Sequence, residues 1–246
     1  YPKNQEKKLS YELFQNPTSE YRGAPFWSWN CKLEEEELLW QLEMLKKMGM
    51  GGAHIHPRAG LATPYLSKEF MDMVNACNEK AKSADMNCWI YDEDRYPSGS
   101  AGGIVTQNDE YRQRLLRFTT VPYKKERKND IFFVENTTVR TEEGILLTVF
   151  DIELDDKGYL KEYRQIQPED EVKGTKWYVY MDYSPKTSWF NNQSYVDTMN
   201  KEAMDRFIEV TYEAYNRNCS KDFGGVIPSI FTDEPQVAHK ERLNSS

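Results

Sequence analysis

The stretch MNCWIYDEDR, residues 86–95, passes from an apolar, strand-forming run into four consecutive charged side chains, Asp92, Glu93, Asp94 and Arg95. What precedes it decides the fold. Phe70, Met73, Val74, Cys77 and Ala81 recur at helical spacing, with Ser67 placed to cap the helix. Before that helix, GGAHIHPR, residues 51–58, is a strand entered through a glycine turn. Further upstream, Leu38, Leu42, Leu45 and Met48 mark another helix that Gly49 stops, and APFWSWN, residues 24–30, is a short aromatic strand. Strand, helix, strand, helix, strand at this spacing predicts a parallel sheet.

Downstream the rhythm changes. LLRFTTV, IFFVEN, ILLTVFDIEL, YLKEYRQI and KWYVYM, separated by polar turns, predict antiparallel strands in an inserted β-subdomain over 111–183. The α/β pattern resumes with Met204, Phe207, Ile208, Thr211 and Tyr215 at helical spacing. It leads into IPSIFTDEP, residues 227–235, read as a fourth parallel strand that ends in Asp233 and Glu234 and is closed by Pro235. The expected organisation is therefore α/β units over 1–110, the β-subdomain, and a further unit over 184–246.

Composition bounds the function. The chain has 246 residues, 39% of them hydrophobic and 13% aromatic, a formal net charge of -8, a pI near 5.1 and a mean hydropathy of -0.82. An acidic chain repels phosphate backbones, which argues against nucleic acid as a partner. No apolar run reaches the ~20 residues that cross a bilayer. The polar lead YPKNQEKKLS carries no signal-peptide pattern but suits a processed, extracytoplasmic protein. Cys31, Cys77, Cys88 and Cys219 lack CxxC spacing and read as plain buried thiols.

The chemistry concentrates at the ends of the predicted strands. Trp27, Trp29 and Asn30 close the first; His54, His56 and Arg58 the second; Asp92 to Arg95 the third; Asp233 and Glu234 the fourth. Parallel βα arrays gather such ends on one face, where these folds keep their sites. Strand alternation puts His54, His56 and Arg58 on one face, and Trp89, Tyr91, Glu93 and Arg95 on one face opposite Asp92 and Asp94. Carboxylates rimmed by aromatic rings suit glycosidic cleavage, in which one carboxyl protonates the leaving oxygen and another activates water or attacks the sugar. The rings offer stacking surfaces.

PFWSWN, KKMGMGG, HPRAGL followed by YLS, WIYDEDRYPSGSAGG, SYVDTMN and IPSIFTDEP, taken in order, resemble the N-terminal barrel portion of a bacterial glycoside hydrolase family typified by α-L-rhamnosidases. The resemblance covers roughly residues 20–107 and 186–236. It implies a (β/α)₈ TIM barrel, hydrolysis of terminal deoxy-sugar linkages in a carbohydrate substrate, and calcium as a group that could grip sugar hydroxyls. On it, Glu234 is the expected general acid and Asp233 its electrostatic partner. Glu93, Asp94 and Arg95 are expected substrate or calcium contacts, His56 and Arg58 hydroxyl clamps, and Trp29 and Trp189 sugar platforms. A closed barrel needs eight strands. With four parallel strands in view and the chain stopping at HKERLNSS, the expectation is half a barrel, inactive alone, with its second carboxylate elsewhere and an apolar sheet edge exposed.

Two other functions compete. His54 and His56 form an HxH pair like that of metal-dependent amidohydrolases, although such sites need further histidines and only His239 remains. A non-catalytic carbohydrate-binding remnant is the other. LEEEELL is an acidic first helical turn. SGSAGG, 98–103, lacks a nucleotide-loop pattern and reads as a flexible loop over the pocket that lets backbone approach a substrate. SWFNNQ, 188–193, offers a ring and three amides to sugar hydroxyls, or a plain surface turn.

Overall fold

A computed structural model describes residues 7, 8, 10–123 and 144–237. The predicted strand IFFVEN, His239 and the segment HKERLNSS lie outside the described residues.

After a short helix α1 (Tyr11–Gln15), the predicted rhythm appears as β1 (Phe26–Trp29), α2 (Glu35–Lys47), β2 (Gly52–Pro57), α3 (Lys68–Ser83) and β3 (Asn87–Tyr91). β8 (Ile230–Phe231) completes a four-stranded parallel sheet in the order β1-β2-β3-β8. Ser67 caps α3 as its position suggests, its hydroxyl accepting the Phe70 N–H at 3.2 Å. Met48, expected on the buried stripe of α2, is instead its exposed C-cap.

One face of the sheet is packed under helices. Trp27, Trp29, Ile55, Cys88 and Ile90 alternate onto that face and meet Leu42, Phe70, Val74 and Tyr215 in a single core. Each such large side chain contributes about 1.5–3 kcal/mol by leaving water. The opposite face carries Phe26, His54, His56, Trp89, Tyr91 and Phe231, which touch ring to ring. Phe26 is 57% exposed there. Among the described residues the sheet is open, and its four strands close no barrel.

The fourth strand is shorter than IPSIFTDEP suggests. Pro228 can donate no ladder hydrogen bond, and Ile227 turns aside to bridge Phe223, so pairing with β3 spans two residue pairs. The helix before it is also broken. α4 (Lys201–Val210) and α5 (Tyr212–Cys219) meet at Thr211, whose hydroxyl donates to the Phe207 carbonyl at 2.6 Å, a back-bond that bends helices. The expected single stripe is therefore split, and Ile208 is exposed.

The inserted segment forms an antiparallel sheet from β4 (Arg114–Thr119), β5 (Ile145–Leu154), β6 (Leu160–Ile166) and β7 (Thr175–Tyr183), in the order β4-β7-β5-β6. It joins the α/β part through an Arg112–Val196 bridge and an Arg114–Asp197 ion pair at 2.8 Å. Cys77, Cys88 and Cys219 are buried thiols, whereas Cys31 is exposed. Among the described residues no helix is long and apolar enough to cross a membrane.

Candidate active site

The parallel strands point their C-terminal ends the same way, and at three of them the functional groups meet. His56 on β2 lies between Phe26 and Tyr91, its ring centroid 4.7 Å from the first and 4.0 Å from the second. Arg58, just past β2, sets Nη1 3.1 Å from His56 Nε2. A guanidinium can only donate, so His56 accepts at Nε2 and carries its proton on Nδ1, a buried atom without a hydrogen-bond partner. Burial first, then the charge of Arg58, pushes the His56 pKa down to about 4, so the ring is neutral near pH 7. On β3, the Tyr91 hydroxyl donates to Asp233 Oδ2 at 3.1 Å, joining this stack to the end of β8.

Asp233 and Glu234 are treated differently by the fold. Asp233 is half-buried, and its backbone exchanges hydrogen bonds with Ser98: the Ser98 amide donates to the Asp233 carbonyl at 2.8 Å, and the Asp233 amide donates to Ser98 Oγ at 2.9 Å. Glu234 is exposed, with φ +43, a left-handed conformation that turns the chain sharply after the strand.

Asp92 to Arg95 do not continue the strand, so the alternation expected of them is absent. β3 ends at Tyr91, and the next three carboxylates are all buried. Asp92 accepts from Ser98 Oγ (2.6 Å), Thr232 Oγ1 (2.6 Å) and Tyr212 Oη (2.8 Å). Burial raises its pKa and these donors oppose the rise. Glu93, expected among the substrate contacts, is 0% exposed. Its Oε2 accepts the amides of Gly99, Ser100 and Ala101 at 3.0, 2.9 and 2.8 Å; Oε1 accepts those of Asp94, at 2.9 Å, and Gly102. Burial pushes its carboxyl up to about 7 against the pull of those amides. The glycine-rich segment thus wraps its backbone around the chain's own carboxylate rather than lying loose over a pocket.

Asp94 accepts from Arg95 Nη2 at 2.9 Å and from Asn191 Nδ2 at 2.8 Å. A calcium ion takes about six to eight oxygen ligands. The oxygens of Glu93 are taken by amides, and Asp94 is paired with a guanidinium, so the carboxylates expected to hold the ion do not fit it. Among the described residues no group of three or more His, Cys, Asp or Glu could hold a metal. The HxH pair is equally unsuited: His54 Nδ1 lies 3.2 Å from the Ala24 carbonyl, and Arg58 would repel a cation at His56 Nε2.

The two expected platforms divide. Trp29 is 1% exposed and packs edge-on against Trp27 and Phe70, so it belongs to the core and presents no face to a ligand. Trp189 is 40% exposed, donates Nε1–H to the Tyr96 carbonyl at 2.7 Å, and lies edge-on to the Tyr96 ring at 5.6 Å. Arg95 stands 6.0 Å from the Trp189 ring centre and Arg58 5.3 Å from that of Tyr96. Sequence reasoning missed Tyr91, Tyr96 and Asn191 as connecting residues; two tyrosines beside the DEDR run were the available signal. A cleft of about 390 Å³ lies elsewhere, between α5 and β8 on the helix side, and none of the expected site residues lines it.

No protein-family model matches the chain, and no curated protein does. Among solved structures, it is similar to a rhamnosidase from Novosphingobium sp. PP1Y, with a TM-score of 0.37 and 20% identity over 61% of this chain. The chain spans 17% of the length of that protein, and a likeness this slight carries neither the fold nor the chemistry.

Proposed function

We propose that this chain forms part of the active site of a glycoside hydrolase, and that the protein cleaves terminal α-L-rhamnosyl or similar deoxy-sugar linkages. One observation carries the proposal: Asp233, Tyr91, His56 and Arg58 converge at the tips of three adjacent parallel strands, with an exposed Glu234 next in the chain. The ordered motifs that resemble those of the rhamnosidase family support the same reading.

In this scheme Glu234 donates its proton to the glycosidic oxygen as the bond to the anomeric carbon breaks. Asp233, tethered by the Tyr91 hydroxyl, faces the positive charge that builds on the sugar ring. Water adds to the anomeric carbon and gives up a proton to a second carboxylate, which would stand on strands completing a (β/α)₈ barrel. Arg58 donates to sugar hydroxyls, with His56 fixing its direction; Trp189 and Tyr96 offer ring surfaces. In the protein with its complete barrel, Glu234→Gln should reduce turnover of an aryl α-L-rhamnoside by about 10²–10⁴-fold, with circular dichroism unchanged. Near-normal turnover would remove Glu234 from the mechanism.

A further inference from the structure

Glu93 binds five backbone amides from inside the fold, a use of a carboxylate that chemistry at the surface does not require. The loop that supplies four of them is shaped for it: Gly99, Ala101, Gly102 and Gly103 all have positive φ, which turns successive N–H groups toward one point. A side chain at Gly103 would collide with the Phe190 carbonyl, 2.5 Å from where its Cβ would stand.

A second loop is pinned to the outside of this ring. Asn191, itself left-handed at φ 55, donates Nδ2–H to Asp94 at 2.8 Å and to the Gly102 carbonyl at 2.9 Å, and accepts from Arg95 at 3.0 Å. Two residues earlier stands Trp189, bonded to Tyr96, whose 38% exposed ring borders Arg58. Contacts therefore run from the buried carboxylate through Gly102 to Asn191, and the 189–191 backbone carries them on to the exposed rings.

We infer that Glu93 and Asn191 are positioning residues for a sugar subsite whose walls are Tyr96 and Trp189. Glu93 folds the 98–103 loop, Asn191 docks the 188–193 loop onto it, and together they hold the ring pair at a fixed angle beside Arg58. The C–H face of a deoxy-sugar is the surface such a pair accepts. The ligand class rests on the proposed function; the positioning does not.

The test uses Asn191→Gly, which removes the amide while keeping the backbone conformation, and Glu93→Ala. Asn191→Gly should leave Tm within about 3 °C. It should increase acrylamide quenching of Trp189, identified by difference against Trp189→Phe, and raise KM on an aryl rhamnoside by about tenfold at a kcat within about twofold. Glu93→Ala should lower Tm by about 5–10 °C. Sodium formate should restore Tm and Trp189 shielding saturably, while sodium chloride at equal ionic strength should not. Unchanged quenching in Asn191→Gly, or loss of kcat at constant KM, overturns the inference for Asn191. Formate acting no better than chloride overturns it for Glu93. If the protein with its complete barrel cleaves no rhamnoside, the proposed function fails, while quenching and formate rescue still decide the positioning.

Discussion

Two acidic clusters follow parallel strands in this chain, and the fold uses them in opposite ways. Asp92, Glu93 and Asp94, after β3, are enclosed, and the donors around them are hydroxyls, backbone amides, a guanidinium and an amide side chain. Asp233 and Glu234, after β8, keep contact with solvent, and one tyrosine hydroxyl reaches Asp233. A carboxylate saturated with internal donors organises structure; one left at the rim is available to a ligand. Sequence position at a strand end does not separate the two roles. Burial and donor count do.

The sharpest way to break the contrast is to remove one acid from each cluster. Asp92→Ala removes the buried acceptor that the Ser98, Tyr212 and Thr232 hydroxyls share and should destabilise the protein by about 3–5 kcal/mol, whereas Asp233→Ala should cost about 1 kcal/mol or less. Urea denaturation of both variants checks this, and equal losses would erase the distinction. A smaller effect comes from His56, which sits between the clusters. Its pKa is about 4 in the folded protein against 6.5 for the free side chain, so the unfolded chain binds the extra proton across that window. The stability contributed by neutral His56 is present above pH 6.5 and is lost as pH falls toward 4, by at most about 3 kcal/mol. Denaturation of the protein and of His56→Phe from pH 7 to 4 should converge as the pH drops; parallel curves would show that His56 does not titrate as its burial implies. Smallest of all, Glu234→Gln should change unfolding free energy by less than about 0.5 kcal/mol, since the side chain is exposed. A larger loss would move Glu234 into the structural class.

The parallel units were legible because their signals are local. The Leu38–Leu42 and Phe70–Val74–Cys77–Ala81 stripes, the Ser67 cap and the Gly49 stop act within a few residues, and each stands where its spacing puts it. What failed depended on distant partners. Nothing near Thr211 announces a break, because the back-bond of its hydroxyl competes with a helix pattern that looks continuous. Alternation through Asp92–Arg95 failed because amides from Gly99 to Gly102 capture Glu93 and end the strand at Tyr91. Trp29 looked like a platform from its strand-end position, yet its neighbours Trp27 and Phe70 draw it into the core. Of the expected site, Arg58, Arg95, Trp189, Asp233 and Glu234 keep some access to solvent, while Glu93, Asp94 and His56 lie within the supporting layer.

The ladder between β3 and β8 is two residue pairs long, so main-chain bonding there is sparse. The Asp92 carboxylate reinforces it, collecting a hydroxyl from the loop, one from α5 and one from the tail of β8 itself. Attachment of this edge strand is thus shared between the main chain and a buried side chain. Water admitted to that buried clasp would therefore loosen the terrace bearing Asp233 and Glu234.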